Sequence, residues 1–378
     1  MTARAYSSAQ TFASADQELL LKALLLEGEA AIESWNAWRQ RISVEDADVA
    51  SQRLLPLLLD KLHRLGVDHP DLSRYESVAR YTWLYNQLRA RAAQNILASF
   101  AEAGVPAMPL KGLAVALLYY GDLRRRAMTD FDVLVPAASA ATAARRLNSK
   151  GWYSPCETFL DSESYRQTRH AAQFINARGA EIDLHWHVSH DCCQSGIGDV
   201  FWRHSQPLTI NGFETRTLSD TDHLFQACIH GGMPNEVPPI HWITDSAQIL
   251  RTRSIEWQRL LDQGRDFDVV RRLQRTLGYL RGSFLLPIPD SVIAQLRAMR
   301  PSRIELLDER TRFSRLHPFL KSGVWRYIHY RRNAARHQNF FRYLQESFGT
   351  HSLAGTIFWV VNRMRQGVRP IPFSLPSD

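Results

Sequence analysis

Arg126-Ala127-Met128-Thr129-Asp130-Phe131-Asp132-Val133-Leu134-Val135-Pro136 reads as a polar loop running into a short apolar strand with two acids at its entrance. Side chains alternate across a strand, so Asp130 and Asp132 share one face, about 6–7 Å apart along the chain. That separation suits two carboxylates gripping a pair of divalent cations about 4 Å apart, as two-metal phosphoryl chemistry requires. Acids also flank strands simply as solvated caps, so the pair alone is weak. Its surroundings favour a site: a glycine turn lies upstream at Lys111-Gly112, and a second acidic strand lies downstream in Glu181-Ile182-Asp183-Leu184-His185-Trp186-His187. Asp183 would supply the third carboxylate. Mg²⁺ is the natural ion for an all-oxygen site that must also accept phosphate, with Mn²⁺ as its substitute.

On the N-terminal side of this block, residues 16 to about 104 carry helical periodicity. Leu19, Leu20, Ala23, Leu24 and Leu26 show it first, and Leu54, Leu57, Leu58 and Leu62 repeat it. Tyr75–Ala103 reads as a long amphipathic helix with Tyr81, Leu84, Leu88, Ala92, Ile96 and Phe100 on one face, ended by Gly104. The pattern changes at residue 105. Val105–Pro109 is extended, Leu113–Tyr120 is helical up to Gly121, and Ala137–Gly151 is helical again. Phe174–Asn176 and Ala180–Val188 form two further strands turning at Arg178-Gly179. From Ser219 the chain returns to helices: Thr221–His230 with Ser219 as N-cap, then His241–Leu250 and Ile255–Leu261. This divides the chain into a helical domain over residues 1–104, an α/β block over 105–215, and a helical domain over 216–378 ending in a loose, proline-rich tail at Pro370–Asp378.

Composition bounds the function classes. Four cysteines, Cys156, Cys192, Cys193 and Cys228, have neither zinc-site spacing nor the density of a disulfide scaffold. Met1–Glu18 lacks the basic-then-apolar order of a signal peptide, and the apolar runs Leu19–Leu26 and Leu54–Leu59 are too short to span a membrane. A cytoplasmic, soluble protein is expected. The net charge of +8 permits polyphosphate, nucleic-acid or anionic-membrane partners without choosing among them.

Pro109-Leu110-Lys111-Gly112, the run Leu117–Gly121, the loop and strand Arg126–Val135 and the later Ile182-Asp183-Leu184-His185-Trp186 together resemble the bacterial nucleotidyltransferase family within the DNA-polymerase-β-like superfamily. The likeness is strong over residues 105–190 and looser over His230 and Trp242–Leu250. It implies an α+β fold, a polymerase-β-like core of small mixed sheet with flanking helices, set between the two helical domains. It further implies two metals held by Asp130, Asp132 and Asp183, and nucleotidyl transfer from an NTP such as ATP. The acceptor is not named by it. Where the wider superfamily has a Gly-Ser turn for the triphosphate, this chain has Lys111-Gly112. Gly112 would let the backbone approach a phosphate, and Lys111 would add a point charge.

The remaining polar groups are weighed against plainer roles. Of the basic loop Arg124-Arg125-Arg126, only Arg126 matches the family motif and is expected at the phosphates. Thr129 would support a metal ligand or cap a turn. His185 is expected to act beside the acids; with His187 it also forms an H-x-H pair beside Asp183 that would suit zinc, as would His190 nearby, a reading ranked below a structural one. His230, at a helix end, is read as structural. The basic aromatic segment Arg310–Arg342 would suit nucleic acid or phospholipid, but buried helix faces with solvated arginines explain it as well. Two rivals to a hydroxyl-directed nucleotidyltransferase therefore stand: a non-catalytic nucleotide-binding sensor or scaffold, and a nucleic-acid-binding protein using the C-terminal region.

Overall fold

The computed structural model describes residues 12–154, 160–193, 199–233 and 240–313, then 324–325, 327–328, 330–331, 339–348, 350 and 352–365. Cys156, the Pro370–Asp378 tail and much of Arg310–Arg342 lie outside the described residues.

Some helices begin at side-chain caps. α1 (Ala15–Leu25) starts at Ser14, whose hydroxyl accepts from the Gln17 N–H while the Gln17 side chain accepts from the Ser14 N–H. α2 (Gly28–Arg39) and the single turn α3 (Val49–Gln52) follow, the latter capped by Asp48. α4 (Leu55–Arg64) carries Pro56 in its first turn, where a missing N–H costs little. α5 (Leu72–Glu102) runs 31 residues and stops before Gly104, which takes a left-handed φ of 65°.

α5 is rotated from its expected orientation. Tyr81, Leu84 and Leu88 are 62%, 50% and 59% exposed, while Tyr75, Ala79, Thr82, Asn86, Ala90 and Ala93 face inward. Asn86 is the reason: its amide donates to the carbonyls of Leu123 (2.7 Å) and Arg126 (2.8 Å). Satisfying two buried carbonyls fixes the rotation of this half of the helix at the expense of an apolar stripe. Ile96 and Phe100, further along, are buried as expected.

β1 (Met108–Leu110) leads into α6 (Lys111–Val115), which continues as a π-helical turn, Ala116–Tyr120, and closes at Gly121. β2 (Phe131–Leu134), α7 (Ala140–Ser149), β3 (Trp152–Tyr153), α8 (Glu163–Thr168), β4 (Ala171–Asn176) and β5 (Glu181–His185) complete a five-stranded mixed sheet ordered β1-β2-β5-β4-β3. β2 and β5 are parallel; the other neighbours are antiparallel. β4 and β5 form a hairpin whose turn is held by the Asn176 side chain, accepting from the N–H groups of Arg178 and Ala180. After α9 (Asp199–Arg203) comes a hairpin absent from the sequence reading: β6 (Gln206–Ile210) and β7 (Phe213–Thr217) turn at Asn211-Gly212. Both turn residues have positive φ, 48° and 84°, a geometry that Asn-Gly favours. β7 lies against β1 through Thr217 Oγ1, which donates to the Pro109 carbonyl (2.7 Å).

The chain then turns helical: α10 (Asp220–Gly231), capped by Ser219, α11 (His241–Thr252), α12 (Trp257–Asp266), α13 (Val270–Phe284), α14 (Asp290–Ala298) and α15 (Arg303–Phe313). Residues of α1 and α4 share one apolar core with residues of α10, α11, α13 and α14, and a second core lies between the sheet, α5 and α7. The fold is α+β, a small mixed sheet flanked by helices. Among the described residues no helix is long and apolar enough to cross a membrane. Cys192, Cys193 and Cys228 are buried free thiols. In the C-terminal segment, Ile328 and Tyr343 are buried while Tyr327 and Phe341 stay substantially exposed.

α10 meets α11 through one close approach. A Cβ on Gly231 would land inside the Trp242 ring. Alanine in a helix interior ordinarily gains about 1 kcal/mol over glycine. Gly231→Ala is therefore expected to reverse that sign, costing roughly 1–3 kcal/mol by overpacking, read as a lowered thermal midpoint.

Candidate active site

Register brings the acids together. In the parallel β2–β5 pair, Asp132 stands directly opposite Asp183, and His185 lies two residues further along β5 on the same face. Ligand atoms of Asp132, Asp183 and His185 all fall within 4.8 Å of one another. Asp130 sits just before β2, outside that cluster but lining the same cleft of about 290 Å³.

Asp132 is the buried member, and one of its carboxylate oxygens is engaged twice. Its Oδ1 accepts from Lys111 Nζ (2.6 Å) and from His185 Nε2 (2.9 Å). Burial alone would push its carboxyl up, but the Lys111 ammonium and the His185 hydrogen bond hold it well below the usual carboxylate range. Burial likewise works against the Lys111 charge, and Asp132 outweighs it, so the ammonium titrates above its ordinary value. Lys111 reaches this position from a left-handed backbone (φ 44°), a strained conformation for a residue with a Cβ. Asp130 and Asp183 are half-buried and have no such cation. Burial first, and then the Asp132 charge, raise both carboxyls above their normal range. Carboxylates that repel one another across a cleft form a donor set that fits a divalent cation, and the oxygen ligands suit Mg²⁺ or Mn²⁺.

The neighbouring loop is braced from two sides. Gly112 lies under it so closely that a Cβ would stand 3.1 Å from the Met128 side chain and 3.2 Å from Arg126 Nη1. Thr129, exposed, points its hydroxyl towards Asp130 at 3.5 Å, and its carbonyl accepts from Arg89 Nε (3.2 Å). Arg126 lines the cleft, yet its guanidinium is bound to Asp245 of α11 through Nη2 (2.8 Å) and Nε (3.1 Å). The Tyr120 hydroxyl donates to the same carboxylate (2.8 Å). Arg126, expected at the phosphates, is thus spent on an intramolecular pair. Its two neighbours are spent as well, Arg124 on Asp122 and Arg125 on Asp60.

The cleft is also lined by residues that motif reading missed, Arg53 at the end of α3, His223 and Gln226 of α10 and His241 of α11, and by His230, Trp242 and Asp245 from the stretches of looser likeness. Asp245 did carry a signal, an acid inside the apolar run Trp242–Leu250; Arg53 carried none. His187 and His190 join no metal-ligand cluster among the described residues. The β5 ladder ends before them, because the Trp186 and His187 N–H groups both donate to the His170 carbonyl.

These electrostatics separate the three acids in a melt. The folded pKa of Asp132 lies below its unfolded value, so its ionisation stabilises the fold above the unfolded carboxylate pKa, and that stability is lost as pH falls through the folded value. Asp130 and Asp183 have raised folded values, so they stabilise only below the unfolded pKa and weigh against the fold as pH rises through the folded one. With metal chelated at pH 7, Asp132→Asn is expected to lower stability by about 3 kcal/mol, stranding the Lys111 charge. Asp183→Asn should instead raise the thermal midpoint slightly, a gain that disappears as pH is lowered into the carboxylate range.

No curated protein matches the chain. Among solved structures, an antigenic nucleotidyltransferase-like protein from Paracoccidioides brasiliensis is similar over 56% of this chain and 96% of its own, at 14% identity and a TM-score of 0.32, a likeness too slight to argue from. The family model of uncharacterised nucleotidyltransferases matches residues 48–284, a span that contains every residue of the cleft from Arg53 to Asp245. The chain belongs to that nucleotidyltransferase family.

Proposed function

We propose that this protein is a divalent-metal-dependent nucleotidyltransferase that passes a nucleoside monophosphate from an NTP to a hydroxyl of a small molecule, sugar or protein. The observation that carries the reading is the pairing of Asp132 with Asp183 across parallel strands, with Asp130 at the mouth of the same cleft. Family membership supports the reaction class.

Asp130, Asp132 and Asp183 would hold the metal. When bound, divalent cations supply charge neutralisation at the phosphates and lower the pKa of the attacking hydroxyl. The protein's own groups do the rest. The Asp183 carboxylate, half-exposed and without a cation of its own, takes the proton of the acceptor hydroxyl. The acceptor oxygen then bonds to the α-phosphorus as the bond to the β-phosphate oxygen breaks, and pyrophosphate leaves. His185 Nε2 keeps Asp132 in place through its 2.9 Å hydrogen bond. Lys111 would orient phosphate oxygens beside Asp132, and Gly112 would let the backbone come close to them. Thr129 would steady Asp130. Buried against Asp245, Arg126 would shape the cleft wall and reach phosphate only by leaving that pair.

Pyrophosphate release with each NTP and Mg²⁺ or Mn²⁺ is the direct measurement, run over an acceptor panel. Turnover is expected to need metal, to stop with EDTA and to fall to background in Asp132→Ala. Equal turnover by Asp132→Ala and wild type would remove the metal-site role. Tight NTP binding without turnover on any acceptor would favour a binding module instead.

A further inference from the structure

Two arginines that no motif marks stand by the Asp130 end of the cleft, Arg53 in its lining and Arg89 beside Thr129. With Arg124, Arg125 and Arg126 all paired to carboxylates, the basic loop has no spare guanidinium. Arg53 and Arg89 differ. Neither has an ion-pair partner among the described residues, and both are half-buried, so each guanidinium gives up hydration without a carboxylate to replace it. Both stand at the Asp130 end of the site. Arg53 lines the cleft with Asp130, and Arg89 donates Nε to the Thr129 carbonyl next door. With Nε so used and the guanidinium resting over the Tyr85 ring at 5.7 Å, Arg89 keeps its Nη groups for another acceptor. Burial lowers the pKa of both side chains, and the Asp130 charge opposes that effect in each.

We propose that Arg53 and Arg89 grip the β- and γ-phosphates of the bound nucleoside triphosphate, the part that leaves as pyrophosphate. The assignment rests on the nucleotidyl-transfer reading above and goes beyond it by placing the substrate's tail. Position selects the tail over the α-phosphate. The reacting phosphorus must lie at the Asp132–Asp183 cluster, whereas Asp130 stands outside that cluster and the two arginines flank Asp130. A guanidinium presents N–H groups in a fork that matches phosphate oxygens, and it would offset the charge that develops on the leaving pyrophosphate. Both side chains come from the helices that precede the sheet, so the N-terminal helices would complete the nucleotide site rather than merely flank it.

Calorimetric titration with Mg²⁺ and three probes tests this: an NTP, inorganic tripolyphosphate and the matching nucleoside monophosphate. Arg53→Ala is expected to weaken the NTP and tripolyphosphate by about tenfold or more, and the monophosphate by less than about threefold. Arg53→Lys should recover part of the loss. Arg89→Ala should repeat the pattern more weakly, and it provides the readout if far-UV circular dichroism shows Arg53→Ala unfolded. Tripolyphosphate bound equally by wild type and both alanine variants overturns the proposal, as does a monophosphate loss equal to that of the NTP. A wild type that binds no NTP with Mg²⁺ overturns the nucleotidyl-transfer reading itself, an outcome distinct from arginine variants that bind NTP normally.

Discussion

The site is organised around a single buried carboxylate oxygen. Asp132 Oδ1 receives both Lys111 Nζ and His185 Nε2, and those two contacts make a charged side chain tolerable in the middle of the sheet. Taking an ion out of water costs several kcal/mol, recovered only by good geometry and extra hydrogen bonds. β1 and β5, the two neighbours of β2, provide both: Lys111 follows β1 and His185 ends β5. The left-handed backbone at Lys111 is strain borne to keep this geometry. Because Asp132 is neutralised from within, Asp183 and Asp130 can be held nearby in a less compensated state. The inner acid stabilises the fold and the outer two weigh against it, a division expected where function draws on stability.

A five-stranded sheet does not make a cleft by itself. The loop from Gly121 to Asp130 is held on one side by α5, through Asn86 and Arg89, and on the other by α11, through the Arg126–Asp245–Tyr120 cluster. Asn86 is 37 and 40 residues from the two carbonyls it donates to, and Arg126 is 119 from its carboxylate. Helices that precede and follow the sheet in sequence thus clamp the same ten residues. They fix the approach of Asp130 to the start of β2.

What the sequence made legible was local. Alternation along β2 and β5 put Asp132, Asp183 and His185 on faces that the strands do present, because side-chain direction in a strand follows residue by residue, whereas Asp130, read as part of the same strand face, falls just before β2 and outside the cluster. Ser219 capping α10 and Gly104 ending α5 were equally readable. The register that sets Asp132 opposite Asp183 was not, since it depends on the sheet assembling with β5 beside β2. Asn211-Gly212 was a readable hairpin turn that went unread. Tyr81, Leu84 and Leu88 misled because apolar spacing is blind to a polar residue such as Asn86 with a stronger claim on the interior. Arg126 shows the limit of motifs. Its position matches the family pattern, but its charge is consumed by Asp245, which no local pattern links to it.

Charge balance ties these pieces into one argument. Counting histidines as neutral, three carboxylates and the Lys111 ammonium leave the inner site two negative charges, while Arg126 and Asp245 cancel. Two divalent cations would reverse that excess to two positive charges, and a triphosphate carrying about four negative charges would turn it negative again by the same amount. In the proposed grip, Arg53 and Arg89 would bring the two positive charges that restore neutrality. Without nucleotide and metal, the half-buried guanidiniums of Arg53 and Arg89 have only the Asp130 charge to offset their burial. A metal-bound polyphosphate carries both signs and would pair with the acids through its metal and with the guanidiniums through its phosphates.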